Sequence, residues 1–233
     1  MISIIAIVII GGLTRLTDSG LSMVTWKPLQ GIFPPLNEEQ WANLFFQYQD
    51  SPEFRIKNNS IQLSQFKSIF WWEYTHRMMG RLIGLIVCLP YLLFVFKNRF
   101  NQSQKKNYSI IIGLVALQGL IGWFMVKSGL SDQPDVSHYR LTAHLAVAIV
   151  LYAYLFWIAL EQLRGQSVET LTQKKGLRWI AVANIFWLFL TMLAGGLVAG
   201  LDAGFTYNTF PLMDGKLTIK IISDFSNTSL GVL

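Results

Sequence analysis

Residues 72–96 read WEYTHRMMGRLIGLIVCLPYLLFVF, from Trp72 to Phe96. The stretch is longer than the roughly 20 apolar residues a helix needs to cross a bilayer. Its polar residues crowd into the first turns, where Glu73, His76 and Arg77 precede Arg81. Ionisable groups at membrane depth are costly, so they mark a functional site by default.

Outward from this span, three further apolar windows run from Ser109 to Val126, Tyr139 to Leu160 and Leu177 to Gly200, and Met1 to Leu16 makes a shorter fifth. Met1–Leu16 lacks the basic start and small-residue cleavage site of a signal peptide. Hydrophobic residues make up 52% of the chain and charged ones 14%, which excludes an ordinary soluble domain. The expected fold is therefore an all-α integral membrane protein, a helical bundle with five spans.

Lys and Arg resist export and mark cytoplasmic loops. Lys97, Arg99, Lys105 and Lys106 fall in one connector, and Arg164, Lys174, Lys175 and Arg178 near another. Both connectors are expected on the cytoplasmic or matrix side, together with the amino end. Residues 17–70, with five acids against four bases, and the neutral connector 127–140 are expected outside. Loop bias and attraction to membrane lipid account for the net charge of +6, so no nucleic-acid partner is implied.

In this topology the second and fourth spans both start outside, and each carries a histidine, His76 or His144, about five residues in. At helical rise both imidazoles lie about 7 to 8 Å below the outer boundary. Two level, inward imidazoles suit the iron of a heme, for which histidine is a standard axial ligand. His138 is read as a solvated loop histidine. Glu73 lies three residues before His76 on the same helical face. It can orient the imidazole, move a proton or stabilise positive charge. A helix-entry ion pair with Arg77 is the plainer alternative. Arg77 and Arg81, one turn apart, suit heme propionates through bidentate contacts or snorkel to headgroups. Arg15 faces the same choice. Gln118 reads as an interhelical hydrogen-bond donor, and Gly80, Gly84, Gly119, Gly195, Gly196 and Gly200 as sites of close helix approach. Cys88 is single, which excludes a disulfide.

An internal repeat organises the chain. Gly11-Gly12-Leu13, then Asp18 and Gly20, recurs 184 residues on as Gly195-Gly196-Leu197, then Asp202 and Gly204; Pro28-Leu29 is echoed one residue out of step by Pro211-Leu212. The unit is four spans long, so successive units run parallel about an axis along the membrane normal. On this reading five spans of an expected eight are present. Residues 1–165 form the first four-helix repeat, with the outer loop 17–70, and 166–233 open a second, incomplete one. The sequence reads as truncated at both ends.

The runs Gly11-Gly12-Leu13-Thr14-Arg15-Leu16-Thr17, Ser19-Gly20-Leu21-Ser22, Trp26-Lys27-Pro28, Phe33-Pro34-Pro35-Leu36 and Phe70-Trp71-Trp72-Glu73 with His76-Arg77 and Gly80-Arg81 closely resemble heme A synthase. So do Gly200-Leu201-Asp202-Ala203-Gly204 and Tyr207-Asn208-Thr209-Phe210-Pro211-Leu212-Met213. The outer loop lacks a cysteine pair, as in the proteobacterial and mitochondrial branch. The resemblance implies oxidation of the C8 methyl of heme O to a formyl group, giving heme A for cytochrome oxidase, in a bacterial or mitochondrial inner membrane. It places Glu73, His76 and His144 on the family's acid and histidines in the substrate half. It also implies a heme b in the second half, whose ligands would lie beyond this sequence, an electron donor that the sequence does not identify, and handover from heme O synthase in a complex. Two readings from other classes compete: a diheme b-type electron-transfer cytochrome and a parallel-repeat transporter.

The outer segment is too long for a plain connector. Asn37 with Glu38, Glu39 and Gln40 predicts a capped helix to about Gln49, and Ser51-Pro52-Glu53 a second start. Trp41, Leu44, Phe45 and Tyr48 recur at helical spacing, so one face should rest on lipid or on the bundle. This segment is read either as a lid over the histidines or as an interfacial anchor.

Overall fold

The computed structural model describes residues 1–24, 30–130, 134–164, 175–206, 208–209, 211–212 and 215. The Trp26, Lys27 and Pro28 motif with Leu29, the connector 165–174, and Tyr207, Phe210 and Met213 lie outside the described residues. Helices α1 (Ile2–Leu16), α2 (Glu38–Gln49), α3 (Pro52–Ile56), α4 (Leu63–Phe96), α5 (Gln102–Gly129), α6 (His138–Arg164), α7 (Lys175–Gly200) and α8 (Ala203–Thr206) follow in order. Among the described residues α4, α5, α6 and α7 are long and apolar enough to span a membrane, and α1 is a shorter apolar helix. The protein is an integral membrane helical bundle.

Helix α1 packs on α4, α4 on α5, α5 on α6 and α6 on α7, while α1 also touches α6. Four helices thus close a ring in which α4 and α6 stand across from each other. Ile4 of α1, Ile111 of α5, and Leu151 and Ile158 of α6 fill its inner half. Among the described residues helix α7 packs mainly on α6 and leaves Trp179, Ile185, Phe186 and Trp187 exposed.

The helix ends follow local chemistry. Asn101 opens α5 by accepting from the Gln104 N–H at 2.8 Å. At the end of α4, Asn98 takes a left-handed φ of 50°, and the Asn98 and Arg99 N–H groups bond back to Val95 and Phe94. Asp18 and Asp202, the repeat-related pair, are also left-handed, with φ of 47° and 51°. Their N–H groups bond to Arg15 and Ala199, so both motifs end a helix in the same way.

The segment between α1 and α4 forms, among the described residues, the two capped helices its sequence predicts. Asn37 caps α2 by accepting from the Gln40 N–H, and Ser51 caps α3 by accepting from that of Phe54. The apolar face of α2 rests on the bundle side: Trp41 and Tyr48 bury against Phe66 and Phe70 of α4. This contact corrects the expected start of the second span. Gln62 and Gln65 form a capping box, and α4 begins at Leu63, nine residues before Trp72. Its opening turns belong to the cap. His76 therefore sits thirteen residues into α4, about 20 Å, whereas His144 lies six into α6, about 9 Å. The extra length of α4 is taken up within the cap.

His138 is a second correction. It is the first residue of α6 rather than a solvated loop residue, and its Cβ lies 2.6 Å from where a Cβ on Gly200 would stand. Gly200 and Gly196 thus bring α7 close to α6. Gly84, Gly119 and Gly195 meet no described atom within 4 Å, so the close-approach reading fails for them among the described residues.

Candidate functional site

Helix α4 carries Glu73, His76, Arg77 and Arg81 on successive turns, and its partners decide what each can do. Glu73 is 3% exposed. One carboxylate oxygen pairs with Arg77 at 2.5 Å; the other accepts from the Ser22 hydroxyl at 2.7 Å and the Met23 N–H at 2.6 Å. Arg77 also donates to the Met23 carbonyl at 3.1 Å. The turn after α1 is thereby stapled to α4. The ion pair weighed as the plainer alternative is present, and the carboxylate is not the hydrogen-bond partner of the His76 ring. A buried carboxylate with this many donors is held in one place. Ser22 and Met23 were not singled out from sequence; the only signal was that a buried acid requires donors.

His76 of α4 and His144 of α6 stand on opposite helices of the ring. Each is seated on a glycine. A Cβ on Gly11 of α1 would stand 2.6 Å from His76 Cε1, and one on Gly122 of α5 would stand 3.0 Å from His144 Cε1. No Cβ fits at the first without displacing the imidazole. These seats were missed: Gly11 was read as part of the repeat and of the family motif, not as a seat, and Gly122 not at all.

The polar partners of the two rings differ. Gln118, one turn before Gly122, places its amide nitrogen 3.1 Å from His144 Nε2 and 3.1 Å from the His144 carbonyl. The expectation of an interhelical donor holds, and its partner is the candidate ligand itself. Among the described residues the buried side-chain polar atoms without a hydrogen-bond partner are His76 Nδ1, His144 Nδ1 and Gln118 Oε1. Buried polar groups are nearly always paired. Three orphaned atoms on the two imidazoles and their neighbour, with glycines making room for both rings, fit a heme held between α4 and α6.

The arginines divide. Arg77 is committed to Glu73 and Met23. Arg81 reaches, among the described residues, the Met78 thioether at 3.5 Å, beside Gly31. Arg15 goes elsewhere: it donates to Asp18 at 3.0 Å, Asp202 at 2.5 Å and the Ala199 carbonyl at 3.1 Å. It ties the end of α1 to the end of α7 and is not brought together with His76 and His144.

With this geometry in place, the comparisons decide the family. The family model described as cytochrome oxidase assembly protein matches residues 1–230. The chain belongs to the cytochrome oxidase assembly protein family. A heme A synthase of Nitrosospira multiformis is 48% identical over 213 residues, covering 91% of this chain and 60% of the relative. One of Nitrosomonas eutropha is 45% identical over 219 residues, covering 92% and 61%. One of Paramagnetospirillum magneticum is 47% identical over 219 residues, covering 91% and 61%. The chain thus spans about 60% of the length of these curated relatives. No solved structure matches it. Among cytochrome oxidase assembly proteins, then, this chain places two glycine-seated histidines on opposite helices beside a buried Glu73–Arg77 pair.

Proposed function

We propose that this chain holds heme O between His76 and His144 and serves in oxidising its C8 methyl to a formyl group, the reaction implied by its resemblance to heme A synthase, the name its relatives carry. The observation that carries the reading is the pair of half-buried, glycine-seated imidazoles on the opposite helices α4 and α6, with both Nδ1 atoms buried and unpartnered. When bound, heme O supplies both the iron and the methyl group that is oxidised. That oxidation removes four electrons and four protons from the methyl group and one water, so an electron acceptor must take part.

The chain's own residues hold, orient and shield. His76 and His144 supply neutral imidazole nitrogens to the iron. Arg81, the arginine on α4 without a carboxylate partner among the described residues, holds a propionate. Glu73, locked by Arg77, Ser22 and Met23, keeps a negative charge one turn from His76. There it stabilises positive charge developing at the methyl carbon, since fixed charges in a water-poor site act strongly on developing charge. The cap of α2, α3 and the start of α4 limits the access of water.

On the same reading residues 1–165 are the substrate half, with its heme site near the outer side, and residues from 166 open a second half in which a heme b would be held. Heme O partitions into membrane, so delivery by heme O synthase in a complex fits the chemistry.

The test is Glu73→Gln in the whole protein, made in membranes supplied with heme O. The Soret band should persist while formyl heme, measured by mass, falls about 100-fold or more. Undiminished formyl heme would reject the electrostatic role. An electron-transfer cytochrome would lose neither heme nor reducibility and would form no formyl heme even in the parent.

A further inference from the structure

The two imidazoles have unequal alternatives when not bound to iron, and this difference separates their roles. Gln118 Nε2 sits 3.1 Å from the His144 carbonyl, which can only accept, so the amide presents its NH2 side there. The same NH2 is 3.1 Å from His144 Nε2. That ring nitrogen is therefore the acceptor, the ring proton is on Nδ1, and the lone pair on Nε2 is the one a metal would take. Gly122, one turn on along α5, leaves space for the ring in this position. Off iron, His144 thus has a place to rest in which its lone pair is satisfied. His76 has no such place. Its Nδ1 is buried and unpartnered like that of His144, so the difference lies at Nε2: His144 Nε2 has Gln118, whereas the His76 ring makes no hydrogen bond to any described residue and is received by a glycine, which offers no side-chain donor. A ring nitrogen that exchanges one partner for another loses little, whereas one that gives up its partner for none loses the whole interaction.

Building on the proposed heme site, we infer that His144 is the exchangeable ligand and His76 the resident one, with Gln118 the positioning residue that receives His144 Nε2 when it leaves the iron. With iron held there, His144 would trade its Nε2–iron bond for the Gln118 N–H to Nε2 hydrogen bond. The lone pair would stay on Nε2, with no proton moved and no electron transferred.

The experiment compares the heme-loaded whole protein with Gln118→Met, which keeps the volume and removes the donor. Carbon monoxide binding to the ferrous protein is followed by absorbance, and the five-coordinate fraction by resonance Raman. Loss of one neutral hydrogen bond should lower that fraction and slow carbon monoxide binding about fivefold. A role in packing alone would move neither with the Soret band intact. His144→Ala should retain heme through His76 and bind carbon monoxide faster than the parent, whereas His76→Ala should lose most of its heme. Unchanged carbon monoxide kinetics in Gln118→Met, or better heme retention in His76→Ala than in His144→Ala, would overturn the assignment while leaving the heme site standing. A parent protein without a Soret band would overturn both.

Discussion

Glu53 is 4% exposed and receives the Tyr48 hydroxyl at 2.9 Å, while that hydroxyl accepts from the Asn58 amide at 2.8 Å. Burial pushes the carboxyl up to about 7, against the opposing Tyr48 hydrogen bond; Glu73 and Asp18 push the same way and Lys57 the other. Between the ordinary carboxylate value and 7 the folded protein holds a proton that the unfolded chain has lost. Stability therefore falls as pH rises through that window, and the full cost is present above it. Thermal melting in detergent should show the protein more stable at pH 5.5 than at pH 8. Glu53→Gln should regain up to about 3 kcal/mol at pH 8 and flatten the dependence. A variant melting like its parent at pH 8 would exclude this. At this scale the sequence exposed the chemistry of Glu73, His76 and His144, because ionisable residues stand out in an apolar span. It hid Glu53, because an acid in a polar loop looks solvated until a tertiary contact buries it.

Helix pairs decide how the candidate ligands are placed. The α1–α4 contact at Gly11 leaves no room for a methyl group against the His76 ring, and the α5–α6 contact at Gly122 leaves little. Overpacking costs about 1 to 3 kcal/mol. Gly11→Ala should therefore reduce bound heme per protein, read from Soret absorbance, by about tenfold. Gly122→Ala should reduce it less, since its clash is milder. Equal heme content in parent and Gly11→Ala would show that the ring does not need this seat. The existence of the helices and their caps was legible, down to Asn37 and Ser51 as N-caps. The start of α4 was not, because Phe66 and Phe70 extend the helix for the sake of the cap, a partner distant in sequence.

Across the whole molecule, the cap and the α5–α6 connector share one end of the bundle, joined by Lys57 and Asp135 at 2.5 Å. The α4–α5 turn lies at the other end. If loop charge sets the topology, trypsin added to sealed right-side-out membranes should cut at exposed Arg55, and in inverted vesicles at exposed Arg99. The opposite pattern would reverse the assigned sides. Arg15 ties the end of α1 to the end of α7 by bonding both Asp18 and Asp202, a link that spacing alone did not reveal. The sequence by itself determined the long apolar helices, the cap helices and the identity of the ionisable residues, because hydropathy, capping and burial cost act locally along the chain. The tertiary structure alone decided that Glu73 answers to Arg77, Ser22 and Met23, that Gln118 answers to His144, and that glycines on α1 and α5 seat the histidines of α4 and α6. Those partners lie on different helices, and their pairing follows from how the ring of helices closes.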